Sequence, residues 1–579
     1  MEEDTPTHTG ANITWKSRQS QDDTSYKENF KINGYIQIWK NIYYSLVNEN
    51  IEETLRSIFT SNQIRFRLSE HYILSVPPND YEKFLYLNSG IYSYLTISVC
   101  SSTCIILGYI FFAISSPVLY LYLSYILMLC SYYLINHYII IIGNSMCYQS
   151  HTDICNSTDI SEISVDVFLP VCGEDIEVLS NTWKYVSELD FPNYQVYVLD
   201  DGDSREVESL CMIYEFHYIV RDDRPKLKKS GNMRNAYKVT QGDYIFVLDA
   251  DFVPRNDFLR ETIPLMEHDH NIGILQTPQY FRNSNEQTWL EKGAAGLQEV
   301  FYRIIQSSRN NFNASLCVGT SAIYRRKALE RFEGSAPVEH SEDVNTGLYV
   351  MNEGYKVKYL PLVLSMGVCP GEIYPFFNQQ YRWSIGSFIL MLHNRTLWCG
   401  KNISFIQRMC FINGFSYYIF HAVSPVFSPV CIICIIYFYP EQLTWFNIMF
   451  VAPSFLNDIF FHKLWTTQNI KVKVISFDKT SKIQSIAFFY SLKDAIFKNA
   501  MEWVPTGIKV IGKDLSTTRL SIGLKTMFFY DSIVMTVIIL GTVMRINEGF
   551  LYYNFIYIVL QSVYQFLLSF HIILYFLNK

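Results

Sequence analysis

The sequence is short of charge: only 17% of its 579 residues are Asp, Glu, Lys or Arg, against about 25% in soluble globular domains. With 49% hydrophobic and 16% aromatic residues, much of the chain is expected in lipid. A basic excess is missing too. The net charge of −7 excludes the electrostatic footprint of a nucleic-acid binder. There is no G-x-x-x-x-G-K-S/T loop and no G-x-G-x-x-G, which excludes a P-loop kinase and a standard dehydrogenase. The acidic, polar N-terminus lacks the basic and apolar regions of a signal peptide. The 13 cysteines are scattered. Cys431 and Cys434 form a C-x-x-C inside an apolar run with no second pair nearby, so they read as packing residues rather than a zinc or redox site.

Apolar runs long enough to span a bilayer, roughly 20 residues each, fall at about 91–114, 118–142, 412–438, 524–544 and 550–576. A sixth at about 443–464 is interrupted by Asn457 and Asp458, a polar pair that belongs against other helices or a wet channel. Lys40, Arg56, Arg65, Arg67 and Lys83 precede the first span, and Lys471, Lys473, Lys479, Lys482 and Lys493 lie between the fourth and fifth. The turns 115–117 and 439–442 carry no Lys or Arg, and 545–549 only Arg545. Both termini and the large middle region are therefore expected on the cytosolic side. The sequons at Asn12, Asn156, Asn313, Asn394 and Asn402 would then carry no glycan.

The middle region, about 160–375, alternates short runs such as "VDVFLP" (165–170), "YQVYVLDDG" (194–202), "DYIFVLDAD" (243–251) and "IGILQTP" (272–278) with helix-length stretches such as 176–188. That alternation predicts a parallel α/β sheet, whose ligands bind beyond the carboxyl ends of the strands. The acids are there. Asp200 and Asp201 end one run and Asp249 and Asp251 another. Either pair alone could be turn-capping residues. Two on neighbouring strand tips offer hard oxygen ligands suited to Mg²⁺ or Mn²⁺, which in turn bind a diphosphate. Between them, "RDDRPKLKKSGN" (221–232) is either a solvated loop or a means for Lys229 to reach a nucleotide. Ser341-Glu342-Asp343 opens an amphipathic stretch, either as an N-cap with first-turn acids or with Asp343 as a general base. Finally "QQYRW" (379–383) sits ahead of the third apolar run.

In this order the motifs resemble the processive family 2 glycosyltransferases, most closely cellulose synthase catalytic subunits: D-D-G at 200–202, D-x-D at 249–251, S-E-D at 341–343 and Q-x-x-R-W at 379–383. The surrounding "DVFLPVCGED" (166–175), "KSGNMRNA" (229–236), "LQTPQYF" (275–281) and "CVGTSAIYRR" (317–326) match as well. The resemblance covers about 160–400, and the flanking spans only by layout. It implies a GT-A (Rossmann-like) α/β glycosyltransferase domain, cytosolic, inserted in a multi-span α-helical membrane domain. It further implies that Glu174, Asp200, Asp201, Lys229, Gln379 and Arg382 hold the nucleotide sugar and that Asp249 and Asp251 hold Mg²⁺ or Mn²⁺. Asp343, with Glu342 and Asp201, would be catalytic, and Trp383, Val318 and Gly319 would meet the acceptor.

Three departures from the family pattern are visible. Ser341 stands where Thr is usual. The gating loop is matched by letters at "FDKTSK" (477–482) and by place at "WVPTGIK" (503–509), which makes Trp503, Thr506 and Lys509 the favoured set. A C-terminal cyclic-dinucleotide domain and a Cys-rich zinc domain are expected to be absent.

The expected layout is an N-terminal segment 1–86 (its first 28 or so residues disordered), spans 1–2 in 87–145 and a catalytic domain in 146–375. Interfacial helices with Q-x-x-R-W follow in 376–410, spans 3–4 in 411–466, an interfacial helix and gating loop in 467–521, and spans 5–6 in 522–579. The function expected is polymerisation of glucose from UDP-glucose into a β-1,4-glucan passed through a membrane, in the plasma membrane, with lipid, the growing polysaccharide, accessory subunits or further copies as partners. Mixed-linkage glucan, β-1,3-glucan or mannan synthesis, transfer from another UDP- or GDP-hexose, transfer to a polyprenyl phosphate, and an inactive sugar-binding or channel protein are the alternatives.

Overall fold

The computed structural model describes residues 74–87, 103, 107, 148–281, 287–443, 474–498 and 515–577, all within one compact unit, Leu74–Lys579. Its centre is a seven-stranded sheet built from β1 (Val165–Val171), β2 (Tyr194–Asp200), β3 (His217–Ile219), β4 (Tyr244–Val247), β6 (Ile272–Gln276), β8 (Ala322–Arg325) and β9 (Lys356–Tyr359). The order across it is β3-β2-β1-β4-β8-β6-β9. β5 (Val253–Pro254), β7 (Tyr280–Phe281) and β10 (Ser365–Gly367) make a small second sheet.

β1 and β4 read as continuous apolar runs because both their faces are covered. On one face lie α2 (Ile176–Val186) and α5 (Phe258–His268), packing Leu179, Trp183, Phe258 and Met266. On the other lie α4 (Lys228–Val239) and α7 (Glu342–Asn352), packing Met233, Ala236, Leu348 and Met351. The lone acid of β1, Asp166, is buried and accepts from Arg326 Nη2 (2.6 Å) and the Gly242 N–H (2.7 Å). The sheet is not all parallel as the alternation predicted. β8 runs antiparallel to both β4 and β6. It is four residues long, too short to register as a strand against the helical periodicity around it.

α6 (Trp289–Glu299) starts from a capping box between Thr288 and Glu291 and continues into a π-helical stretch, Val300–Gln306. After the sheet come α8 (Ile373–His393), α9 (Phe405–Phe438), α10 (Val474–Phe497), α11 (Leu515–Asn547) and α12 (Ile556–Leu577). Among the described residues, three helices, Phe405–Phe438, Thr517–Asn547 and Ile556–Leu577, are long and apolar enough to cross a membrane. Cys431 and Cys434 sit in α9 and are not disulfide-bonded. The spans expected at 91–114 (apart from Thr103 and Leu107), 118–142 and 443–464 lie outside the described residues, as does the segment 503–509 with Trp503, Thr506 and Lys509. "FDKTSK" is helical, within α10.

One apolar cluster joins the two halves of the unit: Leu290 and Ala294 of α6, Phe376 and Phe377 of α8, Ile483 and Phe488 of α10, Leu524 of α11 and Ile572 of α12. Arg309, almost wholly buried, adds a polar tie by donating to the Cys410 carbonyl of α9 (2.7 Å).

The segments flanking residues 88–147 meet on α5. Lys83 pairs with Asp257 (2.7 Å) and Glu261. His151 of α1 (Tyr148–Ser157) contacts Glu261 at 2.9 Å and Cys155 at 3.4 Å. These imidazole, thiol and carboxylate groups lie within 4.8 Å of one another, but Glu261 already has Lys83 and His151 as partners, so the cluster is a clasp. Burial opposes the Glu261 charge, yet His151 and Lys83 outweigh it and hold its pKa below the ordinary value. Its stabilisation is therefore present above the ordinary Glu range and lost as pH falls through the lowered pKa. Glu261→Gln should cost about 1–3 kcal/mol, read as a lower melting temperature of the detergent-solubilised protein at neutral pH, with a smaller difference at acid pH.

Candidate active site

At the carboxyl end of β2 the two aspartates have different surroundings. Asp200 is fully buried and accepts from the N–H groups of Gly202 (2.7 Å) and Ser204 (2.9 Å) and from the Tyr218 hydroxyl (2.8 Å). It closes the turn from behind and does not face outward. Asp201 receives a fork from Arg221, Nε to Oδ1 at 2.8 Å and Nη2 to Oδ2 at 2.7 Å. The same guanidinium donates to the carbonyls of Lys226 (2.5 Å) and Lys228 (3.0 Å). Asp201 thus fixes, through Arg221, the loop that leads into α4 and its Lys229. Asn232 completes the seating by donating to the Leu199 carbonyl (2.7 Å).

Asp249 and Asp251 lie just past β4. The Asp249 N–H donates to Thr320 Oγ1 (2.8 Å) and the Ala250 carbonyl accepts from Thr182 (2.7 Å). Thr320 is held in turn by Gln276, whose amide bonds the Thr320 carbonyl (2.8 Å) and the Val318 N–H (2.9 Å). "LQTP" and "CVGTS" are therefore the frame of the D-x-D turn. Gly319 has φ +78°, and a Cβ there would lie 3.1 Å from Asp343. Its carbonyl accepts from Lys229 Nζ (2.8 Å), and the same ammonium pairs with Asp249. Lys229, Asp249, Gly319 and Asp343 are thus neighbours.

Ser341 is not a side-chain N-cap; it has φ +49° and makes no capping bond. Instead it lies against Gly386 of α8, where a Cβ would fall 2.0 Å from Ser341 Oγ. Asn345 fastens the start of α7, donating to the Ser341 carbonyl (2.9 Å) and accepting from Asn394 at the end of α8 (2.6 Å). Burial, followed by the Glu342 charge, pushes the Asp343 carboxyl well above its usual range. Burial also raises Glu342, against the opposing charge of Lys229.

α8 has two polar faces. Gln379, Arg382 and Trp383, at helical spacing, are half-buried, and Arg382 feels the charges of Glu342 and Asp249. The residues between them turn the other way. Tyr381 donates to Asp494 (2.7 Å), Ser384 to Ser491 (2.6 Å), and Gln484 to Gln380 (2.7 Å), all reaching α10. Sequence reasoning missed this second face, together with Arg221, Tyr218, Gln276 and Thr320. Gln276 and Thr320 stood within the matched segments and Arg221 headed the basic run, but nothing marked their partners.

Four carboxylates (Asp249, Asp251, Glu342 and Asp343) interact electrostatically in this region with Lys229 or Arg382, and Glu174 feels the charges of Asp249 and Asp200. Burial and then Asp249 push Asp251 up to about 7, and burial raises Glu174, which also accepts from the Cys172 N–H (2.5 Å). Such an excess of oxygen donors fits a hard divalent cation. Among the described residues no third acid joins Asp249 and Asp251 closely enough to complete a ligand set, so a cation there would draw its remaining ligands from phosphate and water. Arg221→Met should cost about 3 kcal/mol by stranding Asp201 and should speed tryptic cleavage within 224–229, measured by mass spectrometry of limited digests.

Residues 244–453 match the family described as glycosyl transferase family group 2. Over 263 residues, 44% of this chain, the sequence is 32% identical to the UDP-forming cellulose synthase 1 catalytic subunit of Komagataeibacter xylinus, covering 35% of that protein. Cellulose synthase 2 of Novacetimonas hansenii is 30% identical over 265 residues, 16% of its length. The chain thus spans about a third or less of these curated relatives. Among solved structures, a mannosyltransferase of Pyrobaculum calidifontis in complex with GDP-Man and Mn²⁺ aligns over 64% of this chain and 99% of its own, at 11% identity and a TM-score of 0.39. Residues 244–453 thus match a family 2 glycosyltransferase group, the wider sequence is similar to cellulose synthase catalytic subunits, and the same chain holds helices able to cross a membrane.

Proposed function

We propose that the chain is a membrane-embedded, processive, inverting glycosyltransferase that adds glucose from UDP-glucose to a β-1,4-glucan and passes the polymer across the membrane. One observation carries the reading. Arg382 and Trp383 share a helix whose opposite polar face is bonded to α10, and Ser341, which leads into Glu342 and Asp343, lies against Gly386 of that helix. In this reading chemistry and exit path would share one element.

In this reading Asp343 takes the proton of the acceptor hydroxyl as its oxygen attacks the anomeric carbon. The bond from that carbon to the diphosphate breaks on the opposite face, and UDP leaves. Arg382 and Lys229 would offset charge on the departing phosphates, Gln379 would help hold them, and Trp383 would offer the acceptor ring a flat apolar platform. Asp249 and Asp251 would hold Mg²⁺ or Mn²⁺, which supplies Lewis-acid stabilisation of the diphosphate. Glu174, near the end of β1, is suited to the uridine, while Asp201 serves by fixing the Lys229 loop. The catalytic domain would face the cytosol, in the plasma membrane.

The direct test gives purified, detergent-solubilised protein one labelled UDP-sugar at a time with Mg²⁺ or Mn²⁺. An insoluble product from UDP-glucose that a β-1,4-glucanase degrades is expected; no polymer from any donor overturns the reading. Asp343→Asn should lower turnover by at least about a hundredfold while UDP binding, followed calorimetrically, persists. A base must be ionised, so its raised pKa places the acid limb of kcat/KM above the ordinary Asp value of about 3.9. Glu342→Gln removes the neighbouring negative charge, and the limb of the residual activity should move to lower pH.

A further inference from the structure

We infer that Lys229 is an exchangeable internal counter-ion: its ammonium group occupies Asp249 in the ligand-free protein and transfers to the nucleotide diphosphate when a divalent cation takes Asp249. The inference rests on the reading of Asp249 as a metal ligand, and adds to it a cation that must first be moved.

The geometry is specific. Lys229 Nζ is bonded to an Asp249 carboxylate oxygen and to the Gly319 carbonyl at 2.8 Å. It therefore sits on the D-x-D turn rather than waiting in solvent for a phosphate. The Lys229 and Asp249 side chains keep 22% and 36% of their exposure, so a ligand can reach the pair. The backbone around them is held independently of the ion pair. Thr320 accepts from the Asp249 N–H (2.8 Å), and Arg221 and Asn232 seat the loop and helix that carry Lys229. A move of the ammonium group thus needs only side-chain rotations, which a four-carbon stem allows.

Two positive charges cannot share one carboxylate oxygen without repulsion, so Lys229 and a divalent cation compete for Asp249. A bound diphosphate reverses the situation by giving the ammonium a new partner and releasing the carboxylate. Nucleotide and cation then promote each other's binding, reciprocally, because the coupling belongs to the pair and not to either ligand.

The experiment uses full-length protein in detergent, with Mn²⁺ binding followed by the loss of its free EPR signal and UDP binding by calorimetry. Without nucleotide, Lys229→Met should bind Mn²⁺ at least about fivefold more tightly than the unsubstituted protein, and UDP about tenfold more weakly. UDP should tighten Mn²⁺ strongly in the unsubstituted protein and much less in Lys229→Met. Lys229→Arg, which keeps the charge, should stay close to the unsubstituted protein in nucleotide-free Mn²⁺ affinity. Unchanged or weaker Mn²⁺ binding by Lys229→Met, in a protein whose parent binds Mn²⁺, overturns the exchange and leaves the metal site standing. Independent binding of UDP and Mn²⁺ to the unsubstituted protein overturns it without recourse to any variant. Failure of the unsubstituted protein to bind Mn²⁺ even with UDP removes the metal reading itself.

Discussion

The Ser384–Ser491 hydrogen bond of 2.6 Å, flanked by Tyr381–Asp494 and Gln380–Gln484, fixes how α8 lies on α10. These groups are buried, and an unmatched polar group there would be costly. A rotation of α8 by one residue would break all three bonds at once and turn Arg382 and Trp383 away from the acids. The rest of the site depends on that register. Gly386 meets Ser341 only because α8 presents that side, and Asn394, at the end of the same helix, holds Asn345 of α7.

Around this frame the chain gathers more acid than base. Lys229 and Arg382 interact with four carboxylates, Asp249, Asp251, Glu342 and Asp343, and burial raises Asp251, Glu342 and Asp343 above their ordinary values. For folding alone this is unfavourable, since buried like charges destabilise. Such conflicts between local stability and arrangement concentrate at functional sites. The sheet provides the means: Arg221, Gln276 and Thr320 carry no part of the excess charge into the centre, and their hydrogen bonds fix the loops that do.

How much of this could be read beforehand depended on whether a residue's role was local. β1, β2, β4 and β6 are legible because each is a short run dominated by apolar and aromatic residues. β8 is not, because four residues, "AIYR", leave no pattern and its direction depends on the path of the preceding chain. The D-D-G, D-x-D and S-E-D motifs announced acids at strand and helix ends, but sequence alone could not separate Asp200, turned inward onto Tyr218, from Asp201, forked by Arg221. Ser341 heads a helix as its position implied, yet neither its left-handed backbone nor its place against Gly386 of α8 leaves a local mark. Likewise, the 3.6-residue spacing of Gln380, Tyr381 and Ser384 defines a face. It cannot say that the partners lie about a hundred residues later, on α10.

That last contact bears on why catalytic and membrane-directed parts share one chain. If α8 were only a nucleotide-binding helix, its far side could be apolar and tolerant of sliding, since apolar contacts are non-directional. It is instead pinned by directional bonds, two of them to residues with further partners: Asp494 also pairs with Arg519 of α11, and Gln484 also accepts from Tyr417 of α9. The indole of Trp383 is therefore referenced through α10 to two helices able to cross a membrane, and Asp343 through Ser341 and Asn345 to the same α8. In the function proposed above, Asp343 as base and Trp383 as sugar platform would both be held by this one helix and so keep a constant relation to each other. On that proposal, the bonds that align Asp343 would also align the helices beside a departing polymer.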